Sequence, residues 1–322
     1  TEVIFSGGDP LMATDEHLTW LIEQIEQSVL SYADDIAMVY DDQQWSYRKL
    51  NSQANYLANQ LISHGIEKGK LVPILTSNVP LLVVSILALM KIEAPFVIFD
   101  RKWPAARTTK LLDKISAKQL ICACDEASSV VTGDIQVITA DLNEIGDASF
   151  ELDYQRSSIK ADDPLYGFFT SGTTGLPKCC INQQIGLVNR FNNMSHHLEL
   201  RADETVLVNS NLTFDSALWQ IIWPLTQGAR IVLPTNEQRQ DVRLTLALID
   251  EYQVTMTDFV PSIFRLLVQL LPKSSVISQL KSARYIIIGG EKVNSSSIQS
   301  FYQHVPNVVL MNTYGPTEAS IG

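Results

Sequence analysis

Phe168-Phe169-Thr170-Ser171-Gly172-Thr173-Thr174-Gly175-Leu176-Pro177-Lys178 is the stretch from which the fold can be read. An apolar pair leads into a run of hydroxyls, two glycines and a lysine. Glycine lets a backbone turn tightly and approach a ligand closely. Successive N–H groups in such a turn form a nest for anions. The side chains of Thr170, Ser171, Thr173 and Thr174 add donors, and Lys178 adds a point charge suited to phosphate. A plain polar turn would have the same glycines and hydroxyls. It would not need a lysine in register behind a stiffening proline. The spacing differs from the P-loop of the NTPases: Gly172 and Gly175 are three apart, and Cys179 follows Lys178 where that motif has Ser or Thr.

Outward from this loop, strand-like and helix-like segments alternate. Before it, strands are expected at Ile36 to Tyr40, Gln44 to Tyr47, Leu71 to Leu75, Ala94 to Phe99 and Gln119 to Ala123. A helix capped by Thr14 or Asp15 should run to about Tyr32. A second, capped by Ser46, should run to His64, where Gly65 ends it. Pro80 should open an apolar helix to Ile92, and a polar-faced helix should cover Arg101 to Ile115. Residues 125–160 are acidic and irregular, with one short strand at Ile135 to Thr139, and read as a connection between two lobes.

Tyr166 to Thr170 is the strand that feeds the loop. Beyond it come helices at Ile185 to His197, Ser216 to Thr226, Val242 to Tyr252 and from Ser262. Strands are expected at Thr205 to Val208, Arg230 to Leu233, Met256 to Phe259, Tyr285 to Ile288 and Val308 to Met311. This alternation predicts an α/β fold with largely parallel sheets.

Composition sets outer bounds. The 322 residues are 46% hydrophobic and 18% charged, enough for a sizeable core. A net charge of −11 argues against nonspecific nucleic-acid binding or an anionic membrane as partner. The apolar run from Leu81 to Met90 is too short to span a bilayer. No basic segment followed by an apolar one opens the chain, which predicts a cytoplasmic location. Cys122, Cys124, Cys179 and Cys180 lack zinc spacing and read as free thiols, the first two in a strand.

In open α/β sheets ligands bind at the carboxyl ends of strands. Four polar clusters sit at such ends: the loop above, Phe214-Asp215-Ser216-Ala217-Leu218-Trp219, Gly289-Gly290-Glu291, and Asn312-Thr313-Tyr314-Gly315-Pro316-Thr317-Glu318. Any one of them is compatible with a helix cap. Together their chemistry suits a nucleotide beside an amino acid. Tyr314 offers a flat face for a base, and Asn312 an amide for its edge. Thr317 can donate to a phosphate oxygen. Glu318 is a hard oxygen ligand for Mg²⁺, and Asp215 can pair with an α-ammonium group.

These segments closely resemble the core motifs of the adenylate-forming superfamily, which includes acyl-CoA synthetases, luciferases and the adenylation domains of nonribosomal peptide synthetases. The likeness is strongest to the last group. Trp45-Ser46-Tyr47-Arg48-Lys49-Leu50 resembles its first core motif and Leu87 to Asp100 the second. The three clusters at Thr170, Phe214 and Asn312 resemble the third, fourth and fifth, in the family's order. Two departures stand out: Cys179 where the family usually has Gly, and Ala217 where it usually has Ser.

The resemblance implies two αβ lobes with mostly parallel sheets plus a small β-barrel. After a leader at 1–15, the lobes would span about 16–160 and 161–322. The chain stops soon after the fifth motif, without the family's mobile C-terminal lid. Residues 1–322 alone are therefore expected to bind ATP or an adenylate analogue but to adenylate slowly.

By the same resemblance, Thr170, Ser171, Gly172, Thr173, Thr174, Gly175 and Lys178 hold the ATP phosphates. Gly290 and Glu291 line the adenine pocket, where Tyr314 stacks and Asn312 bonds the base edge, with Gly315 fixing the turn. Thr317 meets the α-phosphate, Glu318 the Mg²⁺, and Lys178, Thr317 and Glu318 act in catalysis. The acyl pocket is expected from Asp215, Ser216, Trp219, Asp258, Ile287, Gly289, Thr313, Ile321 and Gly322.

The reaction so implied is ATP plus amino acid giving aminoacyl-adenylate and pyrophosphate. The acyl group then passes to a phosphopantetheine thiol on a peptidyl carrier protein. An acyl- or aryl-CoA synthetase of the same superfamily, or a catalytically silent ATP-binding module, are the alternative readings. Asp215 discriminates against the first, since an acid without an ammonium group has no use for a buried anion. With Asp215 assigned to the α-ammonium, Asp258 is a second carboxylate that needs a cation or strong donor. Gly289 would leave room for length, and Trp219 a face for a cation. A basic or amine-bearing amino acid follows as the expected substrate. The competing reading is that Asp258 merely caps the helix near Ser262 or pairs with a cation of the protein.

Overall fold

The structure, a computed structural model, describes residues 20–129, 134–145, 149–170 and 177–321. The helix start expected at Thr14 or Asp15, the loop residues Ser171 to Leu176 and the terminal Gly322 lie outside the described residues.

Thirteen strands are described: β1 Ile36–Tyr40, β2 Gln43–Ser46, β3 Val72–Ile74, β4 Phe96–Ile98, β5 Gln119–Ala123, β6 Gln136–Ala140, β7 Pro164–Thr170, β8 Lys178–Gln183, β9 Thr205–Leu207, β10 Arg230–Leu233, β11 Met256–Phe259, β12 Tyr285–Gly289 and β13 Val309–Thr313. They form a seven-stranded sheet, ordered β13-β12-β11-β9-β10-β1-β2, and a six-stranded sheet, ordered β6-β5-β3-β4-β7-β8. Each sheet is parallel except for its last pair, β1–β2 in one and β7–β8 in the other. Each pairs strands that are consecutive in the chain, which an antiparallel return permits. No closed barrel is present among the described strands.

The sheets do not divide the chain at residue 160, where the order of elements suggested a boundary between lobes. β1 and β2 join the seven-stranded sheet, whose other members all follow residue 200. β7 and β8 complete the six-stranded sheet begun by β3 to β6. The two sheets therefore interleave in sequence, and the 125–160 connection supplies β6 to one of them.

Local chemistry accounts for the helices. Ser46 accepts from the Lys49 N–H at 3.2 Å and starts the helix Tyr47–Ser63. Asn78 caps Val79–Lys91 in the same way, with Pro80 in its first turn. Every residue of that second helix is buried, which explains its lack of a polar face. The apolar core around it includes Trp219, Trp223, Ile287 and Ile321. Among the described residues no helix is long and apolar enough to cross a membrane.

One glycine tests the packing directly. Gly228 has φ +76°, and a Cβ there would stand 2.4 Å from the Tyr32 ring. Gly228→Ala is expected to cost about 1–2 kcal/mol in left-handed backbone strain, plus the displacement of Tyr32. A urea midpoint equal to the parent's would show that the helix end and Tyr32 are not in contact as described.

Candidate functional site

The glycine-rich loop joins the two strands of a hairpin. β7 and β8 pair antiparallel with Thr170 opposite Lys178, so both ends of the loop are held together. β8 was not expected from sequence. Lys178–Gln183 lacks a clean alternation, and as an edge strand it keeps Ile181 51% exposed. Its burial follows the pleat imperfectly, and Cys179 packs toward Phe169 and its neighbours. Burial pushes the Cys179 thiol up to about 11, so it stays protonated near neutrality. All four cysteines are free; Cys122 is in β5, whereas Cys124 is exposed in the 3-10 turn Cys124–Ser129 rather than in a strand.

β8 also anchors the fifth cluster. Asn182 is buried, donates from Nδ2 to the Thr317 carbonyl at 3.0 Å and accepts from Ser320 Oγ at 3.1 Å. That clamp holds the 3-10 turn Thr317–Ala319 against the hairpin. Ser320 and Ile321 then take positive φ values of 59° and 64°. Ser320 lies so close to Gly186 that a Cβ there would be 2.1 Å from its hydroxyl. Neither Asn182 nor Gly186 has a motif to announce it; only the folded contact does.

With the turn fixed, Thr170 Oγ1 donates to Glu318 Oε1 at 3.3 Å. Asp215 lies beside the same turn. Burial raises its pKa and the Glu318 charge raises it further, while the Thr317 hydroxyl and the Ser216 N–H pull it back. No ion pair joins Asp215 to a described lysine or arginine. Thr170, Asp215 and Thr317 share a cleft of about 910 Å³ with Phe214, Arg107 and Lys110. The two cations were missed by sequence reading. They stand three apart on the helix Ala105–Lys114, a spacing that puts them on one face. Arg107 also lies over the Trp103 ring, 4.6 Å from its centroid.

Asp258, on β11, is half-buried. Ser210 Oγ donates to its Oδ2 at 2.8 Å. Gln220 Nε2 and Ser216 Oγ both donate to that Ser210 oxygen, at 2.8 and 2.9 Å. The neighbouring helix Pro261–Leu270 is capped at Val260 with no side-chain bond, so Asp258 is not its cap. No cation of the described residues lies against it either. Ser210 and Gln220 were not expected from sequence.

Two pocket residues behave differently from expectation. Trp219 is 3% exposed, packed beside Trp223 in the core, and presents no open face for a cation. Gly289 pairs with Thr313 across β12 and β13, and a Cβ on it would stand 2.5 Å from Thr313 Oγ1. The missing side chain makes room for Thr313, not for a longer ligand. Ile287 and Ile321 are buried in the same apolar core as Trp219.

The residues expected at adenine lie at the next strand ends. Gly290 has φ +87° and open space around it, directly after β12. Glu291 borders a small hollow with Pro261 and Lys292. Asn312 is exposed at the end of β13, and Tyr314 is 89% exposed, its ring free to stack. These four do not line the cleft of Asp215 and Thr317 but adjoin it through the Asn312 to Thr317 segment.

The donor set suits a magnesium ion brought by a polyphosphate. Mg²⁺ usually takes one or two carboxylates plus phosphate oxygens and water. Glu318 offers an exposed carboxylate beside the Thr170 hydroxyl, and no group of three or more His, Cys, Asp or Glu suited to a metal occurs among the described residues.

The AMP-binding enzyme family matches residues 25–322, and the chain belongs to it. Its relatives are nonribosomal peptide synthetases. Tyrocidine synthase 3 of Brevibacillus parabrevis is 28% identical over 309 residues, 94% of this chain and 4% of the relative. A dimodular nonribosomal peptide synthase of Bacillus subtilis (strain 168) is 28% identical over 313 residues, 96% of this chain and 13% of the relative. Among solved structures, an artificially fused adenylation–PCP di-domain, NpsA-ThdA from Klebsiella oxytoca, superposes with a TM-score of 0.83 at 25% identity. The match covers 94% of this chain and 59% of that one. The chain thus spans a small part of the curated relatives it matches.

Proposed function

We propose that this chain forms the nucleotide and amino-acid site of an adenylating ligase. It would join ATP and an amino acid into an aminoacyl-adenylate, releasing pyrophosphate. The acyl group would then pass to a phosphopantetheine thiol on a peptidyl carrier protein. The observation that carries this reading is Asp215: a half-buried carboxylate that forms no ion pair with a described residue, on one cleft with Thr170 and Thr317. A buried charge without a partner is costly, so the site is built for a cationic group arriving with the ligand. The α-ammonium of an amino acid supplies it beside the end of a glycine-rich loop.

In this reading Ser171, Gly172, Thr173, Thr174, Gly175 and Lys178 hold the phosphates, with Thr170 at the strand end. Tyr314 stacks on adenine, Asn312 meets its edge, and Gly290, Glu291 and Gly315 shape the surrounding backbone. Thr317 donates to the α-phosphate and Glu318 holds Mg²⁺, which would neutralise phosphate charge. Asp215, Ser216, Asp258, Thr313 and Gly322 surround the amino acid, with Trp219, Ile287, Gly289 and Ile321 forming the packed wall behind. Catalysis is then mainly positioning and charge stabilisation. Titration calorimetry with Mg-ATP, and separately with aminoacyl-sulfamoyl-adenosines, tests the reading. Saturable binding of both, each excluding the other, is expected. Binding of neither ligand would refute it.

A further inference from the structure

Asn182 is a buried polar side chain for which the proposed chemistry has no role, and it stands where the two halves of the cleft meet. It is 5% exposed. Side chains alternate between the faces of a strand, so β8 turns Lys178, Cys180 and Asn182 to one side and Cys179 and Ile181 to the other. The contact between Asn182 Nδ2 and Cys180 Sγ, at 3.7 Å, lies along the first side. Cys179 packs near Phe169 on the second.

The Asn182 amide has one possible orientation. The Thr317 carbonyl accepts and cannot donate, so it must meet Nδ2, which it does at 3.0 Å. Oδ1 is thereby turned to Ser320, whose hydroxyl donates to it at 3.1 Å. One side chain thus grips the turn Thr317–Ala319 at its first residue and at the residue that follows it. Ser320 has φ 59°, a conformation that a residue with a side chain keeps only when its surroundings impose it. The backbone bond that closes the turn, from the Ser320 N–H to the Thr317 carbonyl, is long at 3.3 Å. The turn is therefore held from outside as much as from within.

Two site residues ride on this turn and face different partners. Thr317 lines the cleft with Asp215, and its hydroxyl bonds the Asp215 carboxyl. Glu318 accepts from Thr170 Oγ1 at 3.3 Å. The first borders the amino-acid half of the proposed site and the second its magnesium and phosphate half.

We infer that Asn182 is a positioning residue for adenylation: by fixing the turn it presents Thr317 and Glu318 together, so that nucleotide and amino acid each meet a site already ordered. The inference rests on the adenylation reading above. Its consequence is thermodynamic. Where a turn must first be ordered, the first ligand to bind bears that cost and the second does not. Loss of the Asn182 amide should therefore weaken each ligand bound alone, yet let the second bind almost as in the parent. The coupling between the two ligands rises, and by the same factor from either side. A residue that only packed the strand would change stability and leave the coupling alone.

The test is titration calorimetry of the 322-residue protein with two ligands, separately and together. One is Mg–α,β-methylene-ATP, which cannot release pyrophosphate. The other is whichever of the standard and diamino acids drives the fastest pyrophosphate exchange in the parent. Asn182→Leu keeps the approximate size of the side chain and removes both bonds. It is expected to weaken each ligand alone about tenfold, and the pair together about tenfold rather than a hundredfold. Gly186→Ala, in the helix Gln184–His197, disturbs the turn from its other side, because a Cβ there would collide with Ser320 Oγ; it should reproduce the same pattern. Ser320→Ala removes one bond of a half-buried hydroxyl and guards against a folding defect in the other two. It should weaken both ligands by about two- to fivefold. Parent affinities in Asn182→Leu and Ser320→Ala overturn this inference alone. So do losses that multiply to about a hundredfold for the pair, or a loss confined to one ligand. A parent that does not bind the analogue, or in which no amino acid drives exchange, overturns the adenylation reading and this one with it.

Discussion

Asp215→Ala is expected to lower the apparent affinity for an amino acid on the order of a hundredfold, while the same acid without its amino group loses little. Truncating one partner of a buried charge pair costs about 2–5 kcal/mol. Asp215 is only partly enclosed, so the lower half of that range applies. The carboxylate is already held above its usual pKa by burial and by Glu318. A ligand's ammonium would relieve that penalty, and the removal of the acid would leave the ammonium unmatched.

Stability should move the other way. A carboxyl whose folded pKa is raised contributes stability that is fully present below its unfolded value and is lost as pH rises through the folded value. Above the folded value that contribution is gone, so in alkaline buffer Asp215→Asn should unfold at the same or a higher urea concentration than the parent. An equal loss of affinity for the amino and des-amino acids would show that Asp215 does not meet the α-ammonium. A variant that unfolds earlier there would point to a structural role instead.

Lys178→Ala should weaken Mg-ATP binding about 10- to 100-fold and flatten its salt dependence. Lys178 is exposed at the start of β8, directly opposite Thr170, whose hydroxyl donates to Glu318. One charge-assisted contact is worth roughly 1.5–3 kcal/mol. The rest of the phosphate site is backbone and hydroxyl donors, which the substitution leaves in place. Because Lys178 is on an edge strand, its truncation should not change the unfolding free energy by more than about 0.5 kcal/mol. Arg107 and Lys110 border the adjoining cleft and provide an internal control: they stand on another helix. Parent-like ATP affinity in Lys178→Ala would remove the lysine from the phosphate site.

Much of the architecture was legible in the sequence because it is encoded locally. Ser46, Pro80 and the alternating strand segments each declare an element within a few residues. The polar clusters at strand ends were legible for the same reason. What was hidden depends on partners far along the chain. β8 is an edge strand whose pattern is set by the hairpin, not by alternation. The helix Ser295–His304 begins with three serines, which resemble a loop until Asn294 caps them. The interleaving of the two sheets brings β1 beside β10, nearly two hundred residues away in sequence, and no short-range rule predicts that pairing.

The same limit applies to the site. Asn182, Ser210 and Gln220 act through hydrogen bonds to residues of other elements, and polar side chains carry no periodic signal. Trp219 is instructive in the opposite sense. Its helix, Ser216–Thr226, is buried on nearly every side from Ala217 onward, so a pocket position by alignment became a core position by packing. Gly289 likewise looked like space for a ligand until Thr313 was found to fill it.

Amino-acid-dependent exchange of pyrophosphate into ATP, measured with the protein at its full length across the standard and diamino acids, tests the central claim most directly. Exchange that requires an amino acid and falls at least tenfold in both Asp215→Ala and Lys178→Ala is the predicted result. Absence of exchange with every amino acid, or exchange that survives both substitutions, would contradict it.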